Sequence, residues 1–193
     1  TVSLETYTPL IEDIIEPDLN NYASKLGYNV DFEFEIRDAQ SQAAVHLEKV
    51  QEFRSMGIDV FIGGLWSSQA QAALSYCNDN DMLMWSSSST SPLLAIPDDN
   101  LYRMCPTDLV QAPAISRMME SHGIEAVVVL QRGDAWADGI YNVLSQHWTD
   151  NGGVILERIR YAGEVQEFSN YLQTAENVLS GAVSTYGIDH LGV

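Results

Sequence analysis

Basic residues are scarce in this chain. Of its 193 residues only nine are lysine or arginine, and only Lys25 and Lys49 are lysines, against 27 aspartates and glutamates. The formal charge of −18 excludes the electropositive face that a phosphate backbone requires, so nucleic acid is set aside as a partner. The same sign disfavours direct contact with an anionic membrane surface. Uninterrupted apolar runs of roughly 18 to 20 residues, the length that spans a bilayer, are absent too, so no membrane insertion is expected in this segment. Thr1 opens no signal-peptide pattern. The acidity reads as a solvated surface.

Cysteine is nearly absent. A bond between Cys77 and Cys105 would close a loop of roughly 28 residues and stabilise by about 3 kcal/mol on the chain-entropy account. Cys77 falls late in a predicted helix and Cys105 at the end of a predicted strand, and two separate buried thiols fit the pattern equally well. Two cysteines with no histidine at ligand spacing make no zinc site.

Catalytic signatures are missing as well. No serine sits in a GxSxG elbow. There is no GxxxxGK[ST] loop, and Gly63-Gly64 lacks the third glycine of a dinucleotide fingerprint. His46, His122, His147 and His190 have no carboxylate or cysteine at ligand spacing. Asn78-Asp79-Asn80-Asp81 has the acidity of a calcium loop without its glycine and terminal glutamate. No enzyme, no metal and no cofactor are expected from these residues.

What the chain does have is a hydrophobic content of 46%, enough for a core, arranged as strand and helix in alternation. Thr1 to Lys25 reads as mostly helix, with Thr8 as a cap, Pro9 at the first helical position and a kink or restart at Pro17. Val30 to Ile36 alternates apolar and acidic residues and predicts a strand with one wet face. Helices follow over Asp38 to Met56, ended by Gly57, and over Ser67 to Asn78, capped by Ser67 or Ser68. Short apolar strands are predicted at Ile58 to Ile62, Met82 to Trp85 and Leu101 to Met104. After Cys105-Pro106 the rhythm restarts: helix Leu109 to His122, strand Ala126 to Leu130, helix Trp136 to Asp150, strand Val154 to Tyr161, helix Val165 to Leu179, and a strand beginning near His190. Such alternation predicts parallel, doubly wound sheets. We read two α/β lobes, residues 1–105 and 106–193. The first lacks an opening strand, of which Thr1 to Leu4 is at most a remnant; the second is incomplete.

Two strand ends share a design. VFIGGLWSSQA, from Val60 to Ala70, and MLMWSSSSTSP, from Met82 to Pro92, each run from a buried strand into glycines or hydroxyls and then a helix start. In an open parallel sheet, ligands bind at the carboxyl ends of the strands. Ser67, Ser88, Ser89 and Thr90, with free N–H groups nearby, form a candidate anion cradle; plain turn and cap roles compete with that reading. Trp66 and Trp85 flank the two turns, with core packing favoured over ligand stacking. The second lobe offers Asp134 as a helix cap and Trp136 as an apolar cover for a ligand.

Five segments carry a family resemblance: FEFEIRDAQSQAAVHLEKVQEF, VFIGGLWSSQAQAA, MLMWSSSSTSP, LYRMCPTD and AVVVLQRGDAWADGI, spanning most of Phe32 to Ile140. In order and spacing they resemble the type I periplasmic solute-binding proteins of ABC transporters, the branched-chain amino-acid group in particular. The resemblance implies two Rossmann-like lobes that close on a ligand, and Ser67, Ser88, Ser89 and Thr90 as holders of an α-carboxylate. It places Trp136 where a tyrosine is usual. It also implies an extracytoplasmic protein, anchored through a segment ahead of Thr1, that hands its solute to an ABC permease; the ectodomain of a receptor with the same fold is the alternative. The acidic residue that meets the α-ammonium in that family lies beyond Val193, so the chain reads as an internal fragment.

Overall fold

The structure, a computed structural model, describes residues 4–193. The chain forms two compact units, one ending at Gln40 and one running from Ser41 to Val193.

The first unit is a helical run followed by an extended strap. Helix α1 (Leu4–Leu10) passes into a π-turn over Ile11–Ile15, and α2 (Glu16–Lys25) follows. Pro9 lies inside α1 and not at its start, so Thr8 caps nothing. Pro17 stands in the first turn of α2. Its ring removes an N–H from the helical ladder, and the chain widens just ahead of it, where Glu16 N–H reaches Ile11 O. The strand remnant expected at Thr1 to Leu4 falls largely outside the described residues, and Leu4 itself opens α1.

Val30 to Ile36 is not a strand. Its alternation is real, but a strand needs a neighbour's ladder, and side chains take that place here. Asn20 brackets Phe32, its Oδ1 accepting from the Phe32 N–H at 2.6 Å and its Nδ2 donating to the Phe32 carbonyl at 2.9 Å. Glu16 Oε2 accepts from the Phe34 N–H at 3.0 Å. A two-residue period reports which way side chains point; it does not supply a partner.

The second unit opens with α3 (Ala43–Ser55). The helix starts later than the periodicity predicts, because Asp38 Oδ1 takes the Gln40 N–H at 2.7 Å and Gln40 and Ser41 are left-handed. It ends in a Schellman motif: Gly57 at φ 80° donates to Arg54 O, and Ile58 donates to Phe53 O. Strand β1 (Val60–Ile62), α4 (Ser67–Asp79), β2 (Leu83–Ser86) and β3 (Leu101–Arg103) follow. The three strands are parallel, in the order β1-β2-β3. Phe61, Met84 and Leu101 share one face and are buried against Val50 of α3 and Ala70, Ala73, Leu74 and Cys77 of α4. The opposite face carries Val60, Ile62, Trp85 and Tyr102, all exposed. An all-apolar strand signals cover on both faces; here one face is covered.

A crossover leads to α5 (Gln111–Ser121), β4 (Ala126–Arg132), α6 (Ala135–Asp150), β5 (Val154–Tyr161), α7 (Ser169–Tyr186) and the short β6 (Leu191–Gly192). This sheet is also parallel, with β4 central between β5 and β6. Val128 and Ile159 pack on Ala175, Val178 and Leu179 of α7. That helix begins four residues later than expected, because Glu167 takes both the N–H and the hydroxyl of Ser169. It continues past Gly181 to Gly187, whose φ of 82° stops it. The α/β class with two parallel sheets is therefore as the alternation predicts. Cys77 and Cys105 are both free; Cys77 is buried in the first core, which raises its thiol to about 11, and the bond left open by the spacing is not formed.

Candidate functional site

Parallel pairing brings the carboxyl ends of β1 and β2 side by side, so the glycine turn and the hydroxyl run meet. Most of the hydroxyls turn out to be stitches. Ser86 Oγ donates to Gly64 O at 2.7 Å, Ser89 Oγ donates to the same carbonyl, and Ser88 Oγ donates to Leu65 O at 2.6 Å. Ser86 and Ser89 are fully buried. They satisfy carbonyls that a tight turn would otherwise leave unpaired. The hydroxyls of Ser88 and Ser89 are thus spent on the backbone, whatever their N–H groups do.

Ser67 opens α4 at its first helical position, with Trp66 as the cap residue. Gln69 Oε1 takes the Trp66 N–H at 3.2 Å, and the cap residue is neither the Ser67 nor the Ser68 that the sequence predicts. Ser67 Oγ instead accepts the Ser91 N–H at 3.3 Å. Thr90 Oγ1 donates to Asp108 Oδ2 at 2.7 Å, and Asp108 N–H returns a bond to Thr90 O at 3.0 Å.

Arg103, the last residue of β3, fixes the direction of the loop. Its Nη1 donates to Ser89 O at 3.1 Å and to Ser91 O at 2.8 Å. A trans peptide holds C=O and N–H on opposite sides. With the Ser89 carbonyl drawn to Arg103, the Thr90 N–H points the other way and meets no acceptor among the described residues. The N–H groups of Ser67 and Ser68, in the first turn of α4, are equally unspent. Three donors with no acceptor, two of them at the positive end of a helix dipole, suit an anion.

A residue absent from the sequence-based list holds the glycine turn. His46 is buried on α3. Its Nδ1 lies 3.1 Å from Gln69 O, and its Nε2 is 2.9 Å from the Gly64 N–H. A carbonyl only accepts and an N–H only donates, so the proton sits on Nδ1 and the ring is neutral. Burial pushes the imidazolium pKa below its usual 6.5, against a smaller opposing effect of the Gln69 carbonyl. The unfolded chain therefore binds the proton first as pH falls. The contribution of His46 to stability is complete above about pH 6.5 and is lost as pH drops through the lowered folded value. We predict that wild type loses more stability between pH 7 and 5 than His46→Gln does, as read by urea unfolding; identical pH slopes would refute the assignment.

The second sheet meets this edge through α6. Asp134 caps that helix, its Oδ1 accepting the Ala137 N–H at 3.0 Å. Ser91 Oγ donates to Ala135 O at 2.7 Å, and Gly139 lies against Ser91 and Pro92. Arg132, the last residue of β4, places its guanidinium 5.1 Å from the Trp66 ring and 5.9 Å from the Trp136 ring, while its Nε bonds Asp134 Oδ2. Trp66 and Trp136 are half-exposed at this edge. Trp85 instead stacks on Tyr102 across the open sheet face, so neither tryptophan of the two turns is a core residue.

Comparison with known proteins bears on the fold that carries these residues. The sequence profile of the periplasmic binding protein family matches residues 19–187. An uncharacterised protein of Methanocaldococcus jannaschii is 28% identical over 186 residues, which is 93% of this chain and 45% of that protein. A periplasmic binding protein of Burkholderia mallei superposes with a TM-score of 0.69 at 17% identity, over 88% of this chain and 48% of that one. A leucine-binding protein, LivK, of Thermotoga maritima gives 0.69 at 21% identity, over 78% and 43%. The chain thus spans about half the length of the relatives it matches. The profile covers most of the sequence, and the alternating parallel architecture is that of the solved relatives: the chain belongs to the periplasmic binding protein family.

Proposed function

We propose that this chain is the carboxylate-holding part of an extracytoplasmic solute-binding protein, which captures an amino acid or similar small carboxylate for import through an ABC permease and performs no catalysis. Residues up to about Cys105 form one lobe of the cleft and residues from Pro106 begin the other. The ligand carboxylate sits against the N–H groups of Thr90, Ser67 and Ser68, and Trp136 covers the ligand from the second lobe. The observation that carries this reading is the Thr90 N–H, turned outward by the Arg103 clamp on the Ser89 carbonyl and left without an acceptor. The leucine-binding relative supports an amino acid as the class of solute. Ligand bridging both lobes favours the closed state by its differential contacts.

The structure alters the part given to the hydroxyls. Ser67 and Thr90 act through their N–H groups, and their hydroxyls hold the loop. The test is calorimetry of the full-length protein with a panel of amino acids, comparing wild type with the Ser67→Ala, Thr90→Ala double variant. We expect a loss of about tenfold or more, because without Ser67 Oγ on the Ser91 N–H and Thr90 Oγ1 on Asp108 the loop no longer aims its N–H groups, and a charge-assisted hydrogen bond set out of line forfeits roughly 1.5 to 3 kcal/mol. Unchanged affinity would sink the cradle.

A further inference from the structure

Among the described residues at this edge, Arg132 is the arginine with neither terminal nitrogen spent. Arg103, its counterpart at the end of β3, gives Nη1 to two loop carbonyls. On the neighbouring strand, Arg158 bonds Asp138 and Gln131, and Arg160 bonds Asp138. Arg132 uses only Nε, toward Asp134, whose other oxygen is committed to the helix cap. Nη1 and Nη2, with four N–H bonds between them, meet no acceptor among the described residues. The side chain is 27% exposed, so these donors are reachable.

The two tryptophans sharpen the case. An arginine stacks on a ring through the face of its guanidinium, while its N–H bonds point outward in the guanidinium plane. Trp66 and Trp136, at 5.1 Å and 5.9 Å, offer no acceptor atom and so leave the N–H donors of Arg132 unconsumed. Trp66 directly precedes Ser67, so the guanidinium stands one indole away from the helix start that belongs to the cradle.

We propose that Arg132 is a specificity-determining residue and that the solute is a small dicarboxylate, with one carboxylate on the N–H cradle, the second end-on to Nη1 and Nη2 of Arg132, and the connecting carbons against the indoles. This rests on the reading that the cradle holds a carboxylate. In a chain of net charge −18, a dianion is repelled at long range, so both ends need local donors of this kind.

The experiment is calorimetry of the full-length protein with succinate, glutarate, adipate and glutamate, each against the analogue in which one carboxylate is an amide (succinamate, glutaramate, adipamate and glutamine). For at least one pair we expect the diacid to bind about 10- to 100-fold tighter, the value of one carboxylate–guanidinium contact. In Arg132→Gln that advantage disappears while the amide keeps its affinity. If wild type binds amides as tightly as diacids, the inference falls and the cradle stands. If Arg132→Gln weakens both members of a pair alike, Arg132 only holds the tryptophans, and the inference falls. If no acid in this panel or among the amino acids binds, the cradle reading fails and takes the inference with it. The wild-type comparison can overturn the inference even if the variant does not fold.

Discussion

Replacing Gly139 with alanine is expected to destabilise the protein by about 1 to 3 kcal/mol, in a setting where the same change normally stabilises. Gly139 lies in α6, and alanine is favoured over glycine inside a helix by roughly 1 kcal/mol. The contact reverses the sign. A Cβ at this position would overlap Ser91 Oγ and stand 3.0 Å from Pro92 Cδ. Ser91 is fully buried, and its hydroxyl cannot swing aside without leaving Ala135 O. Gly181, in α7, is the control: nothing lies within 4 Å of a Cβ placed there, so Gly181→Ala follows helix propensity and stabilises by up to about 1 kcal/mol. At roughly 2 to 4 °C per kcal/mol for a chain of this size, thermal melts separate the two variants. Two variants that both stabilise would mean that α6 does not press on the Ser91–Pro92 loop. Ligand affinity should fall in Gly139→Ala as well, because that loop carries the proposed cradle.

Gly64→Val is expected to cost more, about 3 to 5 kcal/mol, by adding left-handed backbone strain to overpacking. Gly64 has φ 60°, a conformation that a β-branched residue adopts only under strain. Its Cβ would stand 3.0 Å from Ala70 Cβ and Met84 Sδ and 3.1 Å from Ala70 Cα, between a helix backbone and the core. The same residue is the hub of the turn. Its N–H goes to His46 and its carbonyl receives Ser86 and Ser89. Denaturant unfolding of Gly64→Val and Gly64→Ala measures the cost; losses below about 1 kcal/mol in both would show that the turn is not built as described. Protein stabilities lie near 5 to 15 kcal/mol in total, so the valine variant should be close to unfolding at physiological temperature.

Much of this was legible in the residues. The elements from α3 onward follow the apolar periodicity, and positions such as Gly57 and Asp134 do what their chemistry suggests. The meeting of the two turns was legible as well, because parallel strands place VFIGGLW and MLMWSSSSTS at one edge. The use of each hydroxyl was not. A serine past a strand end serves a ligand or a carbonyl equally well, and that choice depends on a partner some 25 residues away, as Ser89 and Gly64 show. Val30 to Ile36 failed for a related reason: its alternation defines faces, while a strand also needs a neighbour. Arg132 has no spacing to recognise, and His46, which reads as a surface or half-buried helix residue, is buried. A signal was nonetheless present. Two apolar strands, LYR and AVVVLQR, each end in arginine, which places two of the chain's nine basic residues at the same edge. His46 stands four residues before Val50 on the buried face of its helix.

The central claim is that outward-turned N–H groups at this edge hold a carboxylate. The direct measurement identifies by native mass spectrometry the solute that co-purifies with the full-length protein, then compares by calorimetry that solute and its derivative with the cradle carboxylate converted to a primary amide. The account predicts that the amide binds at least about 100-fold more weakly, since two or more charge-assisted bonds of roughly 1.5 to 3 kcal/mol are lost or weakened. An amide that binds within about threefold of the acid, a difference of well under 1 kcal/mol, would contradict it.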